Sequence, residues 1–197
     1  MQKLVVMMKD ELEKIKEQVL NVLYILKLIH KIIIETKELL FDRCNFEFSN
    51  IEIEKQSSEY CAYRFEINKQ KVLFRSAKIT PTKIGQFVTL WKRKNEKSSI
   101  EPFEISDNID LFVINVKTET DFGQFVFPKS VLVEQGIITD KKEGKRGIRV
   151  YPIWDLTESK QAKKTQKWQL DYFLKIPFDE TLDINRAKFL YLKNSFL

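Results

Sequence analysis

The hydrophobic positions of the chain follow a helical period at first and then change to a period of two. Leu12, Ile15, Val19, Val22, Leu26, Ile29 and Ile33 recur at alternating intervals of three and four, the seam of a coiled coil or of a helix packed on a partner. Asn21, Lys27, His30 and Lys31 interrupt the run well short of the roughly 20 apolar residues a membrane span requires. Residues 1–40 therefore read as an amphipathic packing helix. No membrane insertion is expected, and the seam is open to a homodimer.

After Leu40 the pattern becomes that of strands. Phe48 to Glu54 alternates through Ile51 and Ile53, and Ala62–Ile67 turns at Asn68-Lys69-Gln70 into Lys71–Ile79. Thr80 reads as an N-cap and Pro81 as the first residue of a helix, with Ile84, Phe87, Val88 and Trp91 as its core face. Lys83, Lys92, Arg93 and Lys94 fall on its solvent side. A polar connection, Asn95–Asp110, leads to buried-strand runs at Leu111–Val116 and Gly123–Phe127. Pro128 opens a short helix that Gly136 stops. Lys141–Arg146 reads as a charged hairpin tip, Ile148–Tyr151 as its return strand, and Gln161–Lys175 and Asp183–Leu192 as helices parted by Pro177. The expected class is α+β, a mixed, largely antiparallel sheet flanked by helices, organised as an N-terminal helix (1–40) and one domain (41–197).

Composition narrows the chemistry. The chain has 197 residues, 43% of them hydrophobic and 12% aromatic, enough for a substantial core. Its net charge of +6 is compatible with an anionic partner, so the placement of the charge decides more than its sum. Cys44 and Cys61 with the single His30 do not make a structural zinc site, and the absence of a signal-peptide pattern points to a reducing cytoplasm. His30, in a Leu- and Ile-rich helix, reads as an interfacial or solvent-edge residue. With five glycines there is neither a phosphate-binding P-loop nor a GxGxxG turn.

The remaining cations gather in groups. Lys160, Lys163, Lys164 and Lys167 fall at i, i+3, i+4 and i+7, one stripe of a helix, with Thr165 and Gln169 broadly opposite. Lys141, Lys142, Lys145, Arg146 and Arg149 surround a single acid, Glu143. Aromatics interleave with these charges at Trp91, Tyr151, Trp154 and Trp168, the combination by which single-stranded nucleic acid is held. Trp91 reads as core, and Trp154, in a loop beside Pro152 and Asp155, is the stacking candidate.

Tyr60 to Lys94 is similar to the centre of a PD-(D/E)xK nuclease with its acids missing. Lys78 matches the motif lysine, but the acidic position two residues before it holds Ser76, and a hydroxyl does not replace a carboxylate as a Mg²⁺ ligand. SSEYCAYRFEI, AKITPTKIGQFVTLWKR, EPFEISDNIDLFVINV, FGQFVFPKSVL, EGKRGIRVYPIWD and QAKKTQKWQLDYF together resemble the MepB family from about Phe41 onward. That resemblance implies an α+β core similar to restriction endonucleases, and genes that can lie beside a multidrug efflux transporter; it implies no activity.

The favoured reading is a non-catalytic nucleic-acid-binding protein with a degenerate nuclease-like core. DNA or RNA would be bound, single strands preferentially, through Lys78, Lys83, Lys92, Arg93, Lys145, Arg146, Arg149, Trp154, Lys160, Lys163, Lys164 and Lys167, with no metal or cofactor. One alternative is a divergent nuclease using Mg²⁺ with Glu66, helped by Glu59 or Asp110, and Lys78 as catalytic residues. The other is a regulatory partner protein associated with efflux, acting through the N-terminal helix.

Overall fold

In the segment Tyr63–Ile67 the alternation of side chains decides the structure: Tyr63, Phe65 and Ile67 are buried on one face, while Arg64 and Glu66 lie on the other. The chain reverses at Asn68 and Lys69, both at positive φ (47° and 68°), as a two-residue hairpin turn requires. The computed structural model describes residues 11–20, 23, 31–95, 97–178 and 181–192. Two compact units divide the chain, Met1–Glu38 and Leu39–Leu197.

In the first unit residues 11–20 are helical (α1), and Leu12, Ile15 and Val19 of the expected seam are 56%, 53% and 51% exposed. Val22, Leu26, Ile29 and His30 lie outside the described residues.

In the second unit the strands begin with β1 (Phe48–Ile53), β2 (Tyr63–Ile67), β3 (Gln70–Ser76) and β4 (Lys78–Thr80). Next come β5 (Lys83–Thr89), β6 (Trp91–Lys92), β7 (Glu101–Pro102), β8 (Leu111–Lys117) and β9 (Phe122–Pro128). Helix α2 (Lys129–Glu134) follows, then β10 (Gly147–Val150), α3 (Lys160–Leu170), β11 (Phe173–Lys175) and α4 (Ile184–Leu192). A six-stranded sheet in the order β1-β2-β3-β8-β9-β11 is antiparallel except for the β3–β8 pair. A smaller sheet, β10-β5-β4, covers one face of it. Leu73, Phe112, Ile114, Phe125 and Phe127 of the large sheet meet Val88, Leu90, Ile148 and Val150 of the small sheet region in one core, closed by Leu132 of α2. On the opposite face Tyr191 of α4 donates to Gln124 (2.7 Å), whose amide donates to Asn115 (3.1 Å), a buried polar chain. The fold is therefore α+β with a mixed, largely antiparallel sheet flanked by helices, as expected.

Four expectations on the elements are corrected. Residues 83–89 form strand β5, not a helix, and Pro81 and Thr82 are the turn from β4. Gly85 sits at φ +85°, and Gly85, Gln86, Val88 and Leu90 are buried, so alternation from Gln86 onward overrides a spacing that fits a helix equally well. Trp91 accordingly belongs to β6 and stays partly exposed. The single strand expected through Ile79 is two, for the chain leaves the large sheet at Ala77 and Lys78 begins β4 in the other sheet. The expected helix to Lys175 ends at Leu170, and Phe173–Lys175 pairs with β9. Lys141–Arg146 is no hairpin tip, because β10 pairs with β5 and not with the segment before it.

Arg75 of β3 is 1% exposed. Its guanidinium meets the Glu54 carboxylate, which also receives Arg64 of β2, and its Nη1 donates to the Phe74 carbonyl at 2.9 Å. One carboxylate just past β1 thus neutralises cations on the next two strands. Glu54→Gln should cost about 2–4 kcal/mol, because the buried Arg75 charge loses its partner. Urea unfolding checks this, and an unchanged midpoint would show that the pair is dispensable.

Candidate nucleic-acid interface

The small sheet and α3 are joined by side-chain amides. Gln169, buried on the inner face of α3, accepts from the Tyr151 amide (2.9 Å) and donates to the Arg149 carbonyl (3.1 Å), continuing the hydrogen bonding of β10 beyond its last strand neighbour. Gln166, one turn earlier, donates to the carbonyls of Pro152 (3.0 Å) and Asp155 (2.9 Å). Ser159 caps the helix by accepting from the Ala162 amide at 3.1 Å. On the other side of the sheet, Gln86 of β5 bonds both the amide and the carbonyl of Lys117, each at 3.4 Å.

This arrangement leaves an open cleft of about 650 Å³ along the start of α3, lined by Lys83 and Ile84 of β5, Lys145, Arg149 and Tyr151 around β10, and Trp168 of α3, among others. Two chain segments bring three cations there, Lys83 from β5 and Lys145 and Arg149 from the stretch around β10, beside the N-terminal end of α3, whose dipole favours an anion. Lys83 and Lys145 are exposed and form no ion pair among the described residues. Arg149 is tied to β5, its Nη1 donating to the Gly85 carbonyl at 2.8 Å. Glu158 is the acid in the lining. Trp168 packs against Phe127 with ring centroids 5.4 Å apart.

Gly85 is needed here for shape. A Cβ on it would stand 2.7 Å from the Tyr151 ring and 2.9 Å from Arg149 Cγ, and its φ of +85° disfavours any other residue.

A second cavity of about 410 Å³ adjoins the cleft, sharing Lys83, Ile84 and Glu158 and adding Ile79, Leu156, Trp154 and Asp155. Burial pushes the Asp155 carboxyl up from its ordinary value, against the pull of Arg149 and the Gly85 amide. Trp154 packs edge-on against Phe173 at 5.5 Å, so its ring belongs to the rim of the core as well as to this cavity.

The other expected residues lie elsewhere or are already engaged. Lys160, Lys163, Lys164 and Lys167 are all exposed, but on the outer stripe of α3, away from the cleft lined by Gln161, Ala162, Thr165 and Trp168. Lys92 bonds Glu104 and Asp107, each at 2.6 Å; burial alone would lower its pKa, and the two carboxylates reverse that and raise it. Arg93 lies over the Trp91 ring at 5.3 Å, and Arg146 pairs with Glu143 at 2.7 Å. Lys78 is 3.4 Å from Glu59 and over the Tyr60 ring at 4.6 Å.

The acids of the nuclease alternative fall in two places, Glu59 beside Lys78 and Glu66 and Asp110 beside Lys71. Glu66 stands opposite Lys71 and accepts from Asn50 at 3.0 Å. From Lys71 to Ser76 the strand runs about 17 Å, so Glu66 faces neither Ser76 nor Lys78. Asp110 is spent on the Lys71 amide at 2.8 Å. Among the described residues no group of three or more His, Cys, Asp or Glu side chains comes together. Cys44 and Cys61 are free thiols, both pushed up by burial. No helix among the described residues is long and apolar enough to cross a membrane.

The sequence reading missed the two glutamines as structural ties. Gln166 and Gln169 recur at i, i+3 on the face opposite the lysine stripe, which was the available signal.

Comparison with known proteins agrees with this fold. The family model described as MepB-like matches residues 54–175. A crystal structure of MepB superposes with a TM-score of 0.63 at 38% identity, covering 68% of this chain and 89% of that one. A bacterial homing endonuclease matches at 15% identity and a TM-score of 0.39 over 68% and 86% of the two chains, and at that score it says nothing of the chemistry here. No curated protein matches.

Gln169→Leu should strand the Tyr151 amide and the Arg149 carbonyl, costing about 2–3 kcal/mol of stability. Hydrogen exchange at the Tyr151 amide reads this directly, and unchanged protection there would show that α3 is held by other contacts.

Proposed function

The chain belongs to the MepB-like family, and we propose that it binds nucleic acid, single strands preferentially, through the cleft along α3, without cutting it. The observation that carries the reading is the convergence of Lys83, Lys145 and Arg149 on one open cleft beside the start of α3. Phosphates are the anion best matched to it, since a row of such cations with a partly exposed aromatic is how a strand backbone is held. Lys160, Lys163, Lys164 and Lys167 extend the positive field along the outer face of the same helix and would draw a polyanion toward it. Lys78, Lys92, Arg93 and Arg146 take a lesser part, each already facing a carboxylate or a ring. The separation of Glu66 from Lys78 supports the non-catalytic half of the reading.

Fluorescence anisotropy across a salt series tests the reading. Binding should weaken with a log–log slope of about −0.7 per phosphate contact on a single strand, so about −2 for three. Lys83→Gln and Lys145→Gln should each flatten the slope by about 0.7, and Lys94→Gln should leave it unchanged. A flat salt response would overturn nucleic-acid binding, and strand cleavage on adding Mg²⁺ or Mn²⁺ would overturn its non-catalytic half.

The exposure of Leu12, Ile15 and Val19 favours a second and compatible reading, in which α1 joins two copies of the chain. Light scattering should then report a dimer that becomes a monomer when residues 1–38 are deleted. A monomeric full-length chain would contradict it.

A further inference from the structure

The second cavity is different in kind from the cleft it adjoins. Its walls are Ile79, Ile84 and Leu156 beside Trp154, and these aliphatic residues are 62%, 44% and 84% exposed, an unusual concentration for a surface hollow. The volume of about 410 Å³ falls within the range of small-ligand sites. Lys83, Ile84 and Glu158 line both hollows, so the apolar one and the cationic one adjoin.

A ligand that fits both needs a flat apolar portion and, next to it, an anionic portion. We propose that the pair of hollows receives one nucleotide unit, its unstacked base between Ile79, Ile84 and Leu156 and its phosphate in the cleft with Lys83, Lys145 and Arg149. The inference rests on the cleft being a phosphate-binding surface and adds what selects among polyanions. Lys83 stands at the junction, where the sugar and its phosphate would pass. Glu158, the acid common to both hollows, repels a phosphate on its own side and accepts from the N–H edge of a base, which fixes the direction of the nucleotide. A base paired and stacked in a duplex presents no free face to such a slot, so duplex is disfavoured by the cost of unstacking. The same chemistry is offered by a strand and by a free nucleoside phosphate.

The test compares four probes on the full chain at one salt concentration: a short single-stranded oligonucleotide, the same length of abasic strand, the matching duplex, and a nucleoside monophosphate with inorganic phosphate as its control. The base-bearing strand should bind about fivefold or more tightly than the abasic one. Leu156→Ser combined with Ile79→Ser, both at exposed positions, should remove that difference and leave abasic binding unchanged. If the strand and its abasic counterpart bind equally, the base slot is overturned while the phosphate-binding cleft stands. If neither binds, and the monophosphate binds more tightly than inorganic phosphate, the slot serves free nucleotides and the polymer reading fails. If no probe binds, both fail.

Discussion

The candidate site depends on a side-chain amide taking the place of a strand. Among the described residues no strand of the small sheet lies beyond β10, and Gln169 supplies one acceptor and one donor to the backbone of Arg149 and Tyr151. This bond fixes how closely α3 approaches β10, and hence the width of the cleft. Gln166 repeats the device on the following loop, and Gln86 ties the same sheet to Lys117 at the end of β8. Buried amides are costly unless both of their ends are bonded, so these contacts specify one geometry.

The cleft then follows from charge economy. Cations beside carboxylates are engaged: Lys92 by Glu104 and Asp107, Arg146 by Glu143, and the buried Arg75 by Glu54. Lys83 and Lys145 are exposed without such a partner among the described residues, and Arg149 has its Nη1 on a carbonyl. Their shared position beside the start of α3, and the apolar hollow next to it, distinguish this face from a merely basic surface.

Much of the large sheet was legible from the sequence, because strict alternation in Tyr63–Ile67 and largely apolar runs at Leu111–Val116 and Gly123–Phe127, each with a single polar side chain (Asn115 and Gln124), leave few options. Pro128 and Gly136 bracket α2 as punctuation. Residues 83–89 were misread because Ile84, Phe87, Val88 and Trp91 satisfy a helical period and a half-buried strand alike. The β-branched Val88 and Thr89, with Gly85 inside the run, pointed to the strand. The end of α3 was missed because neither glycine nor proline follows Leu170. In the site, residue types were legible and their meeting was not. Lys83 and Arg149 come together only through the pairing of β5 with β10, and the carboxylates that engage Lys92 lie 12 and 15 residues further along.

The central claim is the location of the anion-binding surface, and hydrogen–deuterium exchange with and without a single-stranded oligonucleotide tests it most directly. Added protection is predicted at residues 82–84, 145–149 and 158–165, the segments that line the cleft. Protection confined to other surfaces, such as the Glu66 end of the β2–β3 hairpin, or no protection at saturating oligonucleotide, would contradict it.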